Sequence, residues 1–133
     1  MKAGPTWRTP RARVRALGAS GHGAHHWMVE RVTSIALVPL GLWAVWAVLS
    51  VAPYGHAGAI DLLRNPFHAT MAVLFAAVSF HHTQLGMRVI IEDYVPNHAQ
   101  RVFWLLVNAG ACLLGGALVV FSILRVALGA GAY

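Results

Sequence analysis

Two adjacent histidines, His81 and His82, interrupt a long apolar stretch, and Gly86 and Glu92-Asp93-Tyr94 follow them. At 100° per helical residue, Gly86 lies about one turn beyond His82. Asp93, eleven residues on, returns to within about 20° of the same direction. His82, Gly86 and Asp93 therefore share one helical stripe. Gly86 removes a side chain one turn from the imidazole, leaving a flat surface where a large planar group could lie. A histidine beside such a surface, in apolar surroundings, suits one axial bond to a haem iron. The plainer role for His82 is a neutral imidazole hydrogen-bonded to a neighbouring helix. His81 points about 100° away and cannot share the haem role, so lipid-interface or helix–helix packing is expected of it.

Two further groups could do chemistry. Tyr94 stands beside Asp93, and a phenol next to a carboxylate can donate a hydrogen bond to a quinone carbonyl. The plainer role for Tyr94 is an interfacial anchor. Arg31, beside Glu30, His25 and His26, can hold an anion such as a haem propionate. Its plainer roles are to snorkel to headgroups or to pair with an acid. His22, His25, His26, His56, His68 and His98 all fall near or beyond the ends of apolar runs. A second axial ligand at the depth of His82 is thus expected from another subunit, which implies a hetero-oligomer sharing one cofactor.

The elements that must position these residues follow from composition. Of the 133 residues, 58% are hydrophobic and only 11% charged, against about 45–50% and about 25% in soluble domains. That balance excludes a soluble globular enzyme and indicates a membrane protein. A single cysteine, Cys112, excludes an internal disulfide framework or a cysteine-built cluster. The apolar runs at about 33–52, 67–91 and 102–128 each have roughly 20 residues or more, enough to cross a ~30 Å hydrocarbon core. An all-α fold of three transmembrane helices is expected. Pro53, Gly55 and Gly58 punctuate the first break, Asn65-Pro66 opens the second helix, and Pro96-Asn97 closes it. Pro39 sits inside the first run, where membrane helices tolerate proline, usually with a kink.

Charge sets the direction. The net charge is +6, and Lys2, Arg8, Arg11, Arg13 and Arg15 precede the first acid, Glu30. This is an orienting tail rather than a nucleic-acid surface. The first loop has Arg64 balanced by Asp61. By the positive-inside rule the N-terminus is cytoplasmic and three crossings place the C-terminus outside. Residues 1–24 are expected to form a retained basic cytoplasmic tail, and 25–133 the three-span anchor domain. Pro5 and Pro10 speak against a cleaved amphipathic presequence. No glycine-rich phosphate loop occurs. Gly110, Gly115 and Gly116, with Ala109, Ala111 and Ala117, are expected to let another helix approach closely.

These residues carry a resemblance. His25-His26-Trp27-Met28-Val29-Glu30-Arg31-Val32-Thr33-Ser34, opening an apolar run, resembles the start of the small membrane-anchor subunits of succinate dehydrogenase, respiratory complex II. His82-Thr83-Gln84-Leu85-Gly86, then Glu92-Asp93-Tyr94-Val95, is similar to that family's second signature, a histidine eleven residues before Asp-Tyr. The resemblance covers about residues 22–128.

It implies a four-subunit enzyme of the bacterial inner membrane, in which this chain is a multi-pass subunit without catalytic residues of its own. A flavoprotein oxidises succinate, an iron–sulfur subunit passes electrons to ubiquinone, and two anchors of cytochrome b type pack into one helix bundle and share a haem b. On matching positions, His82 is the haem ligand, Arg31 faces the propionates, Tyr94 hydrogen-bonds ubiquinone, and Asp93 supports it. Two other possibilities stand beside this one: a haem-free structural anchor, and a b-type anchor of a different membrane dehydrogenase. A transporter would more often show repeat symmetry or several buried charges, and the sequence has neither.

Overall fold

The computed structural model describes residues 23–129, and every element among them is helical. The basic tail expected at 1–24, with its five cationic residues, lies outside them except for its last two positions. Helix α1 runs over Gly23–Val51, a 3-10 turn over Ala52–Tyr54, α2 over Gly55–Arg64, α3 over Pro66–Tyr94 and α4 over His98–Ala127.

Local chemistry accounts for the ends. The Asn65 side chain accepts from the Phe67 N–H at 2.9 Å, with Pro66 in the first turn of α3. Asn97 caps α4 in the same way, accepting from Ala99 and Gln100. Between them Val95-Pro96 stops α3, and Arg101 Nε donates to the Val95 carbonyl at 3.0 Å, tying the short connection down. Helix α1 continues through Pro39, at the cost of one backbone hydrogen bond.

The connection between the first two apolar runs is not the open loop that Pro53, Gly55 and Gly58 suggest. Gly55 adopts φ +58°, a conformation that side chains resist, and so turns the chain from the 3-10 turn into α2. Ile60, Leu62 and Leu63 are half-buried, whereas Asp61 and Arg64 face outward 3.8 Å apart. This short amphipathic helix packs on α3 and α4, and burial of that apolar stripe outweighs the turn-forming residues at its start.

Helix α3 is the central element. The pairs Thr33–His82 and Trp43–His68 set α1 antiparallel to it. The Asn108 side chain bonds the Gln84 carbonyl at 3.0 Å and sets α4 antiparallel on its other side. The expected close approach through Gly115 and Gly116 is present. A Cβ on Gly115 would come within 2.8 Å of the Phe80 ring, and one on Gly116 within 3.3 Å. Those glycines make the socket for Phe80.

The distribution of apolar surface is the reverse of a soluble domain. Buried hydrophobic residues among those described are Leu40, Ala47, Ala69, Ala76, Leu85 and Ile91, half of them alanine. Large side chains point out instead: Leu42 is 70% exposed and Leu113 73%. Such a surface belongs against lipid or partner helices. The stretches Trp27–Arg64 and His98–Ala127 are long and apolar enough to cross a membrane, and almost none of either is buried within the chain. Helix α3 matches α1 in length at 29 residues, but His68, His81, His82, Thr83, Gln84 and Arg88 dilute its apolarity. Composition alone therefore marks two spanning stretches, not three.

Candidate functional site: a histidine held at the interface of the first and third helices

His82 faces α1. Its Nδ1 lies 3.0 Å from the Thr33 hydroxyl, a contact between residues 49 positions apart. Thr33 Oγ1 also lies 3.0 Å from the Val29 carbonyl and 2.9 Å from the Glu30 carbonyl of its own helix. The plainer role for His82 is thus realised at one ring nitrogen, and Nε2 is not used in this contact. Fourteen residues earlier on the same stripe, His68 faces α1 as well. Its Nδ1 accepts from the Trp43 indole N–H at 3.3 Å, and its ring lies among Trp43, Trp46 and Phe67.

Gly86 is open. A Cβ built on it would meet no heavy atom within 4 Å, so one turn beyond His82 there is free space that a larger residue would occupy. The flat surface expected at Gly86 is thus left unfilled by this chain, as it also is at Gly41 and Gly110. His81 points elsewhere, as helical geometry demands, and lines a groove between α3 and α4 with Ala77, Gln84, Cys112 and Gly116.

Arg31 and the Asp93-Tyr94 pair do not share one level. Arg31 is two residues from Thr33, so about 3 Å along the axis separates it from the level of His82. Tyr94 is twelve residues beyond His82, about 18 Å further along α3. Arg31 also stands about 160° around α1 from Thr33, and its guanidinium lies over the Trp27 ring, 5.5 Å from the centroid. Asp93 is exposed, and Tyr94 is 80% exposed at the end of α3. Arg88 and Glu92 pair at 2.8 Å one turn before them. Among the described residues no three His, Cys, Asp or Glu side chains converge as a metal cluster.

Three contacts escaped sequence reasoning: Thr33 with His82, Trp43 with His68, and Asn108 with the Gln84 carbonyl. A seven-residue spacing offered a signal, since Thr33, Leu40 and Ala47 recur on the α1 face that meets α3.

Comparison with known proteins places the chain in a family. Residues 6–118 match the family model for the succinate dehydrogenase/fumarate reductase transmembrane subunit. The chain is 36% identical over 83 residues to the succinate dehydrogenase hydrophobic membrane anchor subunit of Rickettsia felis, covering 62% of this chain and 69% of that one. It is 36% identical over 111 residues to the mitochondrial succinate dehydrogenase (ubiquinone) cytochrome b small subunit of Neurospora crassa, covering 80% and 57%. With the hydrophobic membrane anchor subunit of Paracoccus denitrificans it shares 27% over 124 residues, 92% of this chain and 94% of that relative. No solved structure matches the chain. The family match spans most of the sequence, including the helix that carries His82, and the chain belongs to the succinate dehydrogenase/fumarate reductase transmembrane subunit family, among the hydrophobic membrane anchors of succinate dehydrogenase.

Proposed function

We propose that this chain is one of two anchors that hold a succinate-oxidising flavoprotein and an iron–sulfur subunit to the bacterial inner membrane. It crosses three times with its N-terminus in the cytoplasm, would hold a haem b through His82, and forms part of a ubiquinone-reduction site. The observation that carries the haem assignment is His82, tethered to α1 through Nδ1, beside open space at Gly86. Haem, when bound, supplies a one-electron redox centre within the membrane.

The chain's own residues divide the remaining tasks. His82 orients through Thr33 and offers Nε2. Arg31, within a turn of that level but on the face of α1 turned away from Thr33 and His82, is the proposed cation for a propionate that reaches around α1. Tyr94 donates a hydrogen bond to a quinone carbonyl, and Asp93 relays protons or steadies the phenol. Reduction of a quinone to a quinol takes two electrons and two protons, so a site near water at the end of α3 suits it. Helix α3 crosses with two of its polar side chains, His68 and His82, engaged by α1 rather than by lipid.

Purification through a tag on this chain tests the assignment. A flavoprotein, an iron–sulfur protein and a second three-span anchor should co-purify, and dithionite should produce b-type absorption bands. Co-purification without those bands would make the chain a haem-free anchor.

A further inference from the structure

We infer that Thr33 is a positioning residue that fixes the proton of His82 on Nδ1 and so keeps the Nε2 lone pair free for a metal. This rests on the reading of His82 as a haem ligand. The Thr33 hydroxyl has one proton to give and lone pairs to receive. Three polar atoms crowd it: the Val29 carbonyl at 3.0 Å, the Glu30 carbonyl at 2.9 Å and His82 Nδ1 at 3.0 Å. A carbonyl oxygen can only accept, whereas an imidazole nitrogen can do either. If the hydroxyl proton went to His82, two carbonyl oxygens would face the Thr33 oxygen with no proton between. If it goes to the carbonyls, His82 donates from Nδ1–H to Oγ1 and each close pair of polar atoms has a proton between them. The second arrangement wins because oxygen lone pairs held at 2.9–3.0 Å with no proton between them repel, although both carbonyls already accept helix N–H groups and that of Glu30 also accepts from the Ser34 hydroxyl at 2.8 Å.

The comparison within the chain sharpens this. His68 meets the same helix through the same ring atom, but its partner is the Trp43 indole, which is a donor only. Nδ1 of His68 must therefore accept, which places its proton on Nε2 and leaves no lone pair there for a metal. Helix α1 thus holds two histidines of α3 in opposite tautomers. Only the one beside Gly86 is prepared as a ligand. A β-branched hydroxyl locked onto its own i−4 and i−3 carbonyls is a rigid acceptor, so the imidazole plane of His82 is set as well as its proton.

The test uses the assembled four-subunit complex with Thr33→Val, which keeps the shape and removes the hydroxyl, and Thr33→Ser, which keeps the hydroxyl. Loss of such a partner typically costs 10–100-fold in metal affinity. Haem transfer from the Thr33→Val complex to apomyoglobin should therefore be about 10–100-fold more complete or faster, and the haem midpoint potential should rise as the ligand becomes a weaker donor. Thr33→Ser should restore both. Succinate oxidation by an artificial acceptor that draws electrons upstream of the membrane reports intact assembly in each variant. If His82→Ala abolishes the b-type spectrum while Thr33→Val keeps wild-type haem retention and potential, the positioning role is wrong and the ligand stands. If His82→Ala leaves the spectrum intact, the ligand assignment falls and takes this inference with it. Equal loss in Thr33→Ser and Thr33→Val would also overturn it, because the hydroxyl would not be the operative group.

Discussion

Thr33 Oγ1 and His82 Nδ1 stand 3.0 Å apart, joining the first and third helices at the level where the chain also leaves open space beside Gly86. A single hydroxyl thereby links helix packing to the side chain proposed above as a haem ligand.

The two adjacent histidines should separate cleanly on mutation. His82→Ala should remove or alter the low-spin b-type spectrum of the complex, whereas His81→Ala, lining the groove towards α4, should largely preserve it. Optical spectra of the dithionite-reduced complexes decide this. The opposite pattern would transfer the ligand role to His81.

Topology is open to a direct test. A reporter active only outside the cytoplasm should work when fused after Tyr133 and stay silent at Asn97, between α3 and α4. The basis is the five basic residues ahead of the first acid, against a balanced Asp61–Arg64 pair on the other side. Activity at Asn97 with silence at Tyr133 would invert the chain and remove Tyr94 from the side of a cytoplasmic electron donor.

Tyr94→Phe removes one hydrogen-bond donor and little else, since the side chain is 80% exposed in this chain. A lost hydrogen bond is worth about 0.5–1.5 kcal/mol, so a several-fold to roughly tenfold weaker interaction with quinone is expected. Succinate-to-quinone electron transfer should fall, with artificial-acceptor activity and haem content near normal. Parallel loss of all three would make Tyr94 an assembly residue.

The Phe80 socket gives a packing prediction. Gly115→Leu would drive a side chain into the ring that already lies 2.8 Å from the Cβ position, and overpacking of this kind costs about 1–3 kcal/mol. The thermal midpoint of the complex should drop. Adding Phe80→Ala should recover part of the loss, because residues that share one space are not additive.

Much of the architecture was legible without coordinates. Apolar runs, Asn65-Pro66 and Pro96-Asn97 determine where α3 and α4 begin and end, because caps and proline act on their own neighbours. The stripe of His82, Gly86 and Asp93 follows from helical periodicity alone, and so does the divergence of His81. Small residues at 115 and 116 announce close approach for the same local reason. Helix α2 was hidden because its stability comes from Ile60, Leu62 and Leu63 resting on other helices, a term that turn residues in sequence do not report.

Only tertiary structure decided which neighbour each polar side chain meets. No spacing rule ties Thr33 to His82 across 49 residues, Trp43 to His68, or Asn108 to the Gln84 carbonyl. Each depends on the rotation and register of one helix against another, which packing of the whole chain sets. The same register separates Arg31 from the Asp93-Tyr94 end by several turns, although both look like ends of apolar runs in sequence. Tautomer is the finest case. Two histidines with identical side chains differ in proton position because one meets a hydroxyl already committed to two carbonyls and the other meets an indole that can only donate.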